Sequence, residues 1–157
     1  MELVKDVTEM RARVLATFAE AFPGQDFETR EIPTDDVVIT LPAGNVVAAV
    51  GALSEKLGMT HLTTITGDDM GDEIRLLYHM WHGCGLTLEV KLPLTDPRIA
   101  TLTEQIPGAT MYEREISDMF GVVFDGHPDL SRLLLPDSWD GPPPMLKSSD
   151  GAKEDQV

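Results

Sequence analysis

The chain has 157 residues, 42% of them hydrophobic, one cysteine and a formal net charge of −15. That length and apolar content suit one domain with one core. The acidic balance argues against nucleic acid, which needs clustered Lys and Arg, and against direct adsorption to an anionic membrane surface. A lone cysteine, Cys84, excludes an internal disulfide framework and an iron–sulfur cluster held by this chain's cysteines alone, which takes about four thiolates. No apolar run approaches the roughly 18 residues of a membrane helix, and no basic segment followed by an apolar one opens the chain, so no secretory signal is expected.

Val7, Met10, Val14, Phe18 and Phe22 recur at spacings of three and four, which predicts an amphipathic helix from about Leu3 to Phe22, ended by Pro23-Gly24. Phe27–Ile32 and Asp36–Leu41 read as two short strands around a Pro33–Asp36 connection. Asn45–Leu57 reads as a second helix, with Gly58 where a left-handed C-terminal residue belongs. Thr60–Thr66 is β-branched and apolar, a third strand. Ile74–Trp81 and Leu86–Leu92 form the next two, joined by a tight turn at His82–Gly85. This order predicts an α+β domain with a mixed or antiparallel sheet and helices packed on it.

Two constellations invite a metal reading. Asp68, Asp69, Asp72 and Glu73 gather carboxylates, but without the twelve-residue spread of an EF-hand loop, and a solvated hairpin turn accounts for them. His79, His82 and Cys84 resemble a ligand string, yet residues 79 and 82 fall on opposite faces of a strand. No metal, cofactor-binding or catalytic residue is assigned. Phosphate-loop and nucleophile-elbow motifs are absent.

Pro93–Pro107 reads as a connection delivering the chain to a helix over Tyr112–Phe120. On that helix Tyr112, Ile116, Met119 and Phe120 share one face, while Arg114 and Asp118 lie opposite with Glu115 beside them. The charged face is either a solvated surface with an Arg114–Asp118 pair or a docking surface. After Gly121 the prolines and glycines break every period, yet Leu130, Leu133, Leu134, Leu135, Trp139, Met145 and Leu146 punctuate the segment. Such apolar anchors on an extended chain suit wrapping over a neighbouring protein. The division expected is an α+β domain over residues 1–125, a partner-wrapping segment over 126–147 and a disordered tail over 148–157.

The order Glu113-Arg114-Glu115, Asp118-Met119-Phe120, His127-Pro128 and Arg132-Leu133-Leu134 resembles the signature of the family of the 30 kDa subunit (the C subunit) of respiratory complex I. Its relatives include subunits of deazaflavin-linked dehydrogenases and of membrane-bound energy-converting [NiFe]-hydrogenases. Ser131, before Arg132, stands where the family usually has a second basic residue, and Met111 where it often has an aromatic. The resemblance implies a cofactor-free, non-catalytic subunit on the cytoplasmic face of the cell membrane, touching the membrane only through its complex. The implied partners are a hydrogenase-like large subunit of the 49 kDa type and a small iron–sulfur subunit. Iron–sulfur clusters, with flavin or a nickel–iron centre, would belong to partner subunits, and the whole complex would couple electron transfer from NADH or an equivalent donor to quinone with ion translocation. It further implies a partner interface at Glu113, Arg114, Glu115, Asp118, His127, Asp129, Arg132, Leu133, Leu134, Pro136 and Trp139. There the two arginines donate to the partner, the carboxylates accept from it, and His127-Pro128 sets the turn.

Overall fold

In a computed structural model, residues 2–32 and 36–147 are described, with side chains from residue 7 onward. Helix α1 runs Glu2–Ala21, followed by β1 (Glu28–Glu31), β2 (Val37–Thr40), α2 (Val46–Leu57), β3 (His61–Asp69), β4 (Glu73–Trp81), β5 (Gly85–Pro93), β6 (Arg98–Ala100), α3 (Ala109–Phe120) and β7 (Val123–Asp125). The predicted α+β architecture is therefore present. Most of the expected Pro33–Asp36 connection and the expected tail 148–157 lie outside the described residues.

Five strands form one sheet in the order β1-β2-β5-β4-β3. All pairings are antiparallel except β2 with β5, which run parallel with Val37 opposite Leu86 and Ile39 opposite Leu88. The chain reaches that parallel pair because α2 carries it away from β2 and the β3–β4–β5 meander brings it back. Alternation along β4 sets the faces: Ile74, Leu76, Tyr78 and Met80 are buried, while Arg75, Leu77 and His79 are half-buried. The helices contribute Val14, Phe18, Val50, Leu53, Ile116 and Phe120 to the same core.

Two differences from the sequence reading matter for the site. Strand β3 runs three residues past Thr66, so Gly67, Asp68 and Asp69 pair with Leu76, Arg75 and Ile74 instead of turning. The Pro93–Pro107 connection holds β6, which pairs in parallel with β7, Ile99 lying opposite Phe124. These three-residue strands are too short to leave a period in the sequence. They matter because they bracket α3, whose ends they fix.

Helix α3 packs on β3 by close approach. A Cβ built on Gly67 would stand 2.4 Å from Cε2 of Phe120, so only glycine admits the ring there. The helix stops at Gly121, which takes a left-handed φ of 73° and donates its N–H to Ser117 O at 2.9 Å.

Candidate functional site

The candidate site is α3 together with residues 126–147, which return across it. Its electrostatics begin with two carboxylates facing opposite sides of the helix. Glu113 has no exposed area. Its Oε1 accepts from the N–H of Leu102 at 2.7 Å, and its Oε2 accepts from the Thr101 hydroxyl, which ties α3 to the loop after β6. Burial pushes its carboxyl above the ordinary value, against the lowering effect of those hydrogen bonds and of His127. The phenol of Tyr78 is buried with no hydrogen-bond partner among the described residues, and burial first, then the Glu113 charge, hold it un-ionised.

His127 completes this inner cluster. Its Nδ1 accepts from the N–H of Asp129 at 3.0 Å, so the proton of the neutral ring sits on Nε2, which points at Thr110 O at 3.2 Å. Nε2 also lies 3.9 Å from Glu113 Oε2, with neither side chain exposed. Through these contacts His127 fastens its turn to the first turn of α3.

On the outer side, Oδ2 of Asp118 accepts from three consecutive backbone N–H groups, those of Leu133, Leu134 and Leu135, at 2.9, 2.8 and 3.1 Å. Desolvation pushes the Asp118 carboxyl up, but the three donors outweigh it and hold the group below the ordinary aspartate value. Arg114 reaches the same segment from one turn away: Nε donates to Ser131 O, and Nη2 to Ser131 Oγ and Arg132 O, at 3.0–3.1 Å. Further along, Met145 N–H donates to Met119 O at 3.0 Å and Lys147 N–H to Asp69 Oδ2 at 2.6 Å.

This geometry bears on three expectations. Glu113 cannot accept from a partner, because it is buried and both its oxygens are engaged within the chain. Arg114 does not pair with Asp118; each instead grips the returning segment. Residues 126–147, expected to wrap over a neighbouring protein, lie on their own domain: Leu130 and Leu146 pack on the core and five backbone N–H groups are held by α3 or β3. The remaining residues of the expected interface are on the surface of this assembly. Glu115, Asp129, Arg132, Leu134 and Pro136 are exposed, and Leu133 and Trp139 half-buried. Leu134 is 57% exposed and Met145 56%, and both line one groove with Ile116, Met119 and Phe120. Met145 is one of the apolar anchors that the sequence offered for wrapping over a neighbour, although the family resemblance did not mark it. Its apolar type in a proline-rich stretch was the available signal.

The constellations read as possible metal ligands are occupied structurally. Asp68 pairs with Arg75, Glu73 with Lys91, and Asp69 holds the Gly71 turn and Lys147. The His79 ring bonds Thr87, and Cys84 is buried, its thiol pushed up by burial and by the Asp36 charge. Among the described residues no three His, Cys, Asp or Glu side chains are grouped to hold a metal ion, and no helix is long and apolar enough to cross a membrane.

Comparison with known proteins agrees with the resemblance. A family model described as respiratory-chain NADH dehydrogenase, 30 Kd subunit, matches residues 39–155. The C subunit of NADH-quinone oxidoreductase from Moorella thermoacetica is 36% identical over 123 residues, 75% of this chain and 82% of that protein. Its Nocardioides sp. counterpart is 39% identical over 104 residues, 62% of this chain and 42% of that protein. The chain thus spans less than half the length of some relatives. Among solved structures, a trypsin-resistant fragment of Nqo5 has a TM-score of 0.64 at 24% identity, covering 77% of this chain and 98% of the fragment. A chain of an archaeal membrane-bound sulfane sulfur reductase reaches 0.67 at 24% identity, covering 87% and 81%. At that identity the two structures speak to the fold alone. The family match and the NADH-quinone oxidoreductase relatives place the chain in the family of the 30 kDa subunit of respiratory-chain NADH dehydrogenase.

Proposed function

We propose that this chain is a non-catalytic scaffold subunit of a complex I-like membrane-bound redox complex. It binds a hydrogenase-like large subunit of the 49 kDa type through the outer side of α3 and residues 126–147, with a small iron–sulfur subunit nearby. Iron–sulfur clusters and flavin belong to partner subunits, and this chain meets the membrane on its cytoplasmic face only through them. Its contribution is positional: it holds the redox module in register while electrons pass from NADH to quinone and ions are moved elsewhere. The curated relatives, named as NADH-quinone oxidoreductase subunits, support that donor and acceptor. A nickel–iron hydrogenase or deazaflavin-linked complex is the second reading, since the sequence resemblance extends to subunits of both.

One observation carries the docking surface. Asp118 and Arg114 fix a proline-rich segment firmly on the domain, yet that segment leaves Leu134 and Met145 more than half exposed beside an apolar groove. Rigid presentation of large apolar side chains lowers the ordering cost of association. The test is affinity purification of the chain from gently solubilised membranes, with mass spectrometry and metal analysis. A hydrogenase-like large subunit and an iron–sulfur subunit should co-purify. Nickel in the eluate selects the hydrogenase reading, flavin with NADH oxidation the respiratory one, and a chain recovered alone contradicts both.

A further inference from the structure

A cavity of about 330 Å³ opens between α3 and the returning segment, on the outer side of the Asp118 carboxylate. Ser117 and Asp118 form its helical wall, Leu130, Leu135 and Pro143 its apolar sides, and the half-buried indole of Trp139 an aromatic wall. The indole is held in place: Nε1 donates to Pro142 O at 3.2 Å, and Gly141 lies against the ring, where a Cβ would stand 3.2 Å from Cζ2. Asp118 is only 9% exposed, and Oδ2 takes all three backbone donors. Oδ1 accepts from no group among the described residues and, unlike the sealed Tyr78 hydroxyl, it is open to solvent, so a carboxylate oxygen remains available on the Asp118 wall of the cavity. Arg132 also lines the opening; its Nη1 donates to Pro136 O at 2.8 Å, and it makes no ion pair with Asp118 among the described residues, though its charge helps to hold the Asp118 carboxyl down.

We propose that this cavity receives an arginine side chain of a partner subunit, an inference that rests on the scaffold reading above. The complementary chemistry is specific. A carboxylate oxygen and a hydroxyl on one wall match the in-plane N–H groups of a guanidinium. A fixed indole offers its face to the same planar cation, and the apolar sides suit its methylene stem. Arginine fits better than lysine because a compact ammonium would not span acceptor and ring together. The net charge of −15 points the same way, toward a partner that is basic at the contact. Asp118 would then act on both sides of its carboxylate, organising the segment with one oxygen and recognising the partner with the other.

The cavity can be tested without the complex. In the isotope-labelled full chain, ethylguanidinium titration should shift the Trp139 indole N–H saturably, with a Kd on the order of 10 mM as expected for one charge-assisted contact plus stacking. Trp81, 53% exposed on the hairpin, is the internal control. Ser117→Arg fills the cavity from within and should abolish the shift. An unsaturable response, equal shifts at both indoles, or an unchanged response in S117R overturns the site. In membrane purifications, S117R and Trp139→Leu should recover the large subunit at least tenfold less than wild type, with Trp81→Phe, at the exposed hairpin indole, near normal. Equal recovery by S117R overturns the arginine contact and leaves the scaffold reading intact. Failure of the wild-type chain to recover any partner overturns the scaffold reading and this inference with it.

Discussion

Glu113 and His127 face one another 3.9 Å apart inside the protein, with no side-chain area exposed on either. The pair links α3 to the turn that launches the returning segment, and the burial of Glu113 makes folding sensitive to pH. Burial raises the folded-state pKa of Glu113 above its ordinary 4.5. Below 4.5 the carboxyl is protonated in both states. Above it the unfolded chain loses the proton first, so stability falls as pH rises until the folded pKa is reached. Glu113→Gln keeps an acceptor for Leu102 N–H and removes the charge. It should therefore flatten the decline in denaturant stability just above pH 4.5. Glu113→Ala should instead cost about 2–4 kcal/mol, since it leaves buried donors unpaired beside a new cavity.

Asp118 has the opposite sign. Its carboxyl is held below the ordinary value, so its contribution is complete at neutral pH and is lost as pH falls through the folded pKa. Asp118→Ala should release the amides of Leu133, Leu134 and Leu135, raising their hydrogen exchange toward that of open loops. The loss of three hydrogen bonds to a charged acceptor should cost about 2–3 kcal/mol. On acidification, wild type should lose protection at those three amides, relative to their intrinsic exchange, before it does at the β4–β5 amides.

At Gly67 the prediction is steric. Gly67→Ala pushes a methyl into the Phe120 ring and should destabilise by about 1–3 kcal/mol, with a Tm loss of roughly 2–4 °C per kcal/mol. Phe120→Leu in the same chain should recover part of that loss, giving a non-additive cycle in thermal unfolding.

Arg114→Ala removes three exposed hydrogen bonds to Ser131 and Arg132. The domain should stay folded, with a change below about 1 kcal/mol for this solvent-exposed contact. The segment over 131–135 should loosen, and recovery of partner subunits should fall. Normal recovery would separate Arg114 from docking.

The elements with strong periods were legible in the sequence. Helix α1, α2 with Gly58, and the β4–β5 hairpin formed close to where alternation and helical spacing put them. Strands β6 and β7 were not, because each has three residues and its partner lies about 25 positions away. Within the site, the charges of α3 were read as a single outward set. Helical geometry already separated them: Glu113 falls about 20° from Phe120 around the helix, on the buried side. Asp118 does lie opposite the core, as its position indicates, but residues 133–135 close over it. Apolar periodicity cannot announce a polar contact between a helix and a proline-rich segment fifteen residues later.

The central claim is that α3 and residues 126–147 form the docking surface of a complex subunit. Hydrogen exchange of the free chain against the chain within its purified complex tests it most directly. The account predicts strong slowing over residues 130–147 and the exposed side of α3, with little change at the Gly71 and Gly83 turns at the two ends of β4. Unchanged exchange over 130–147, with slowing confined to other surfaces, would contradict it.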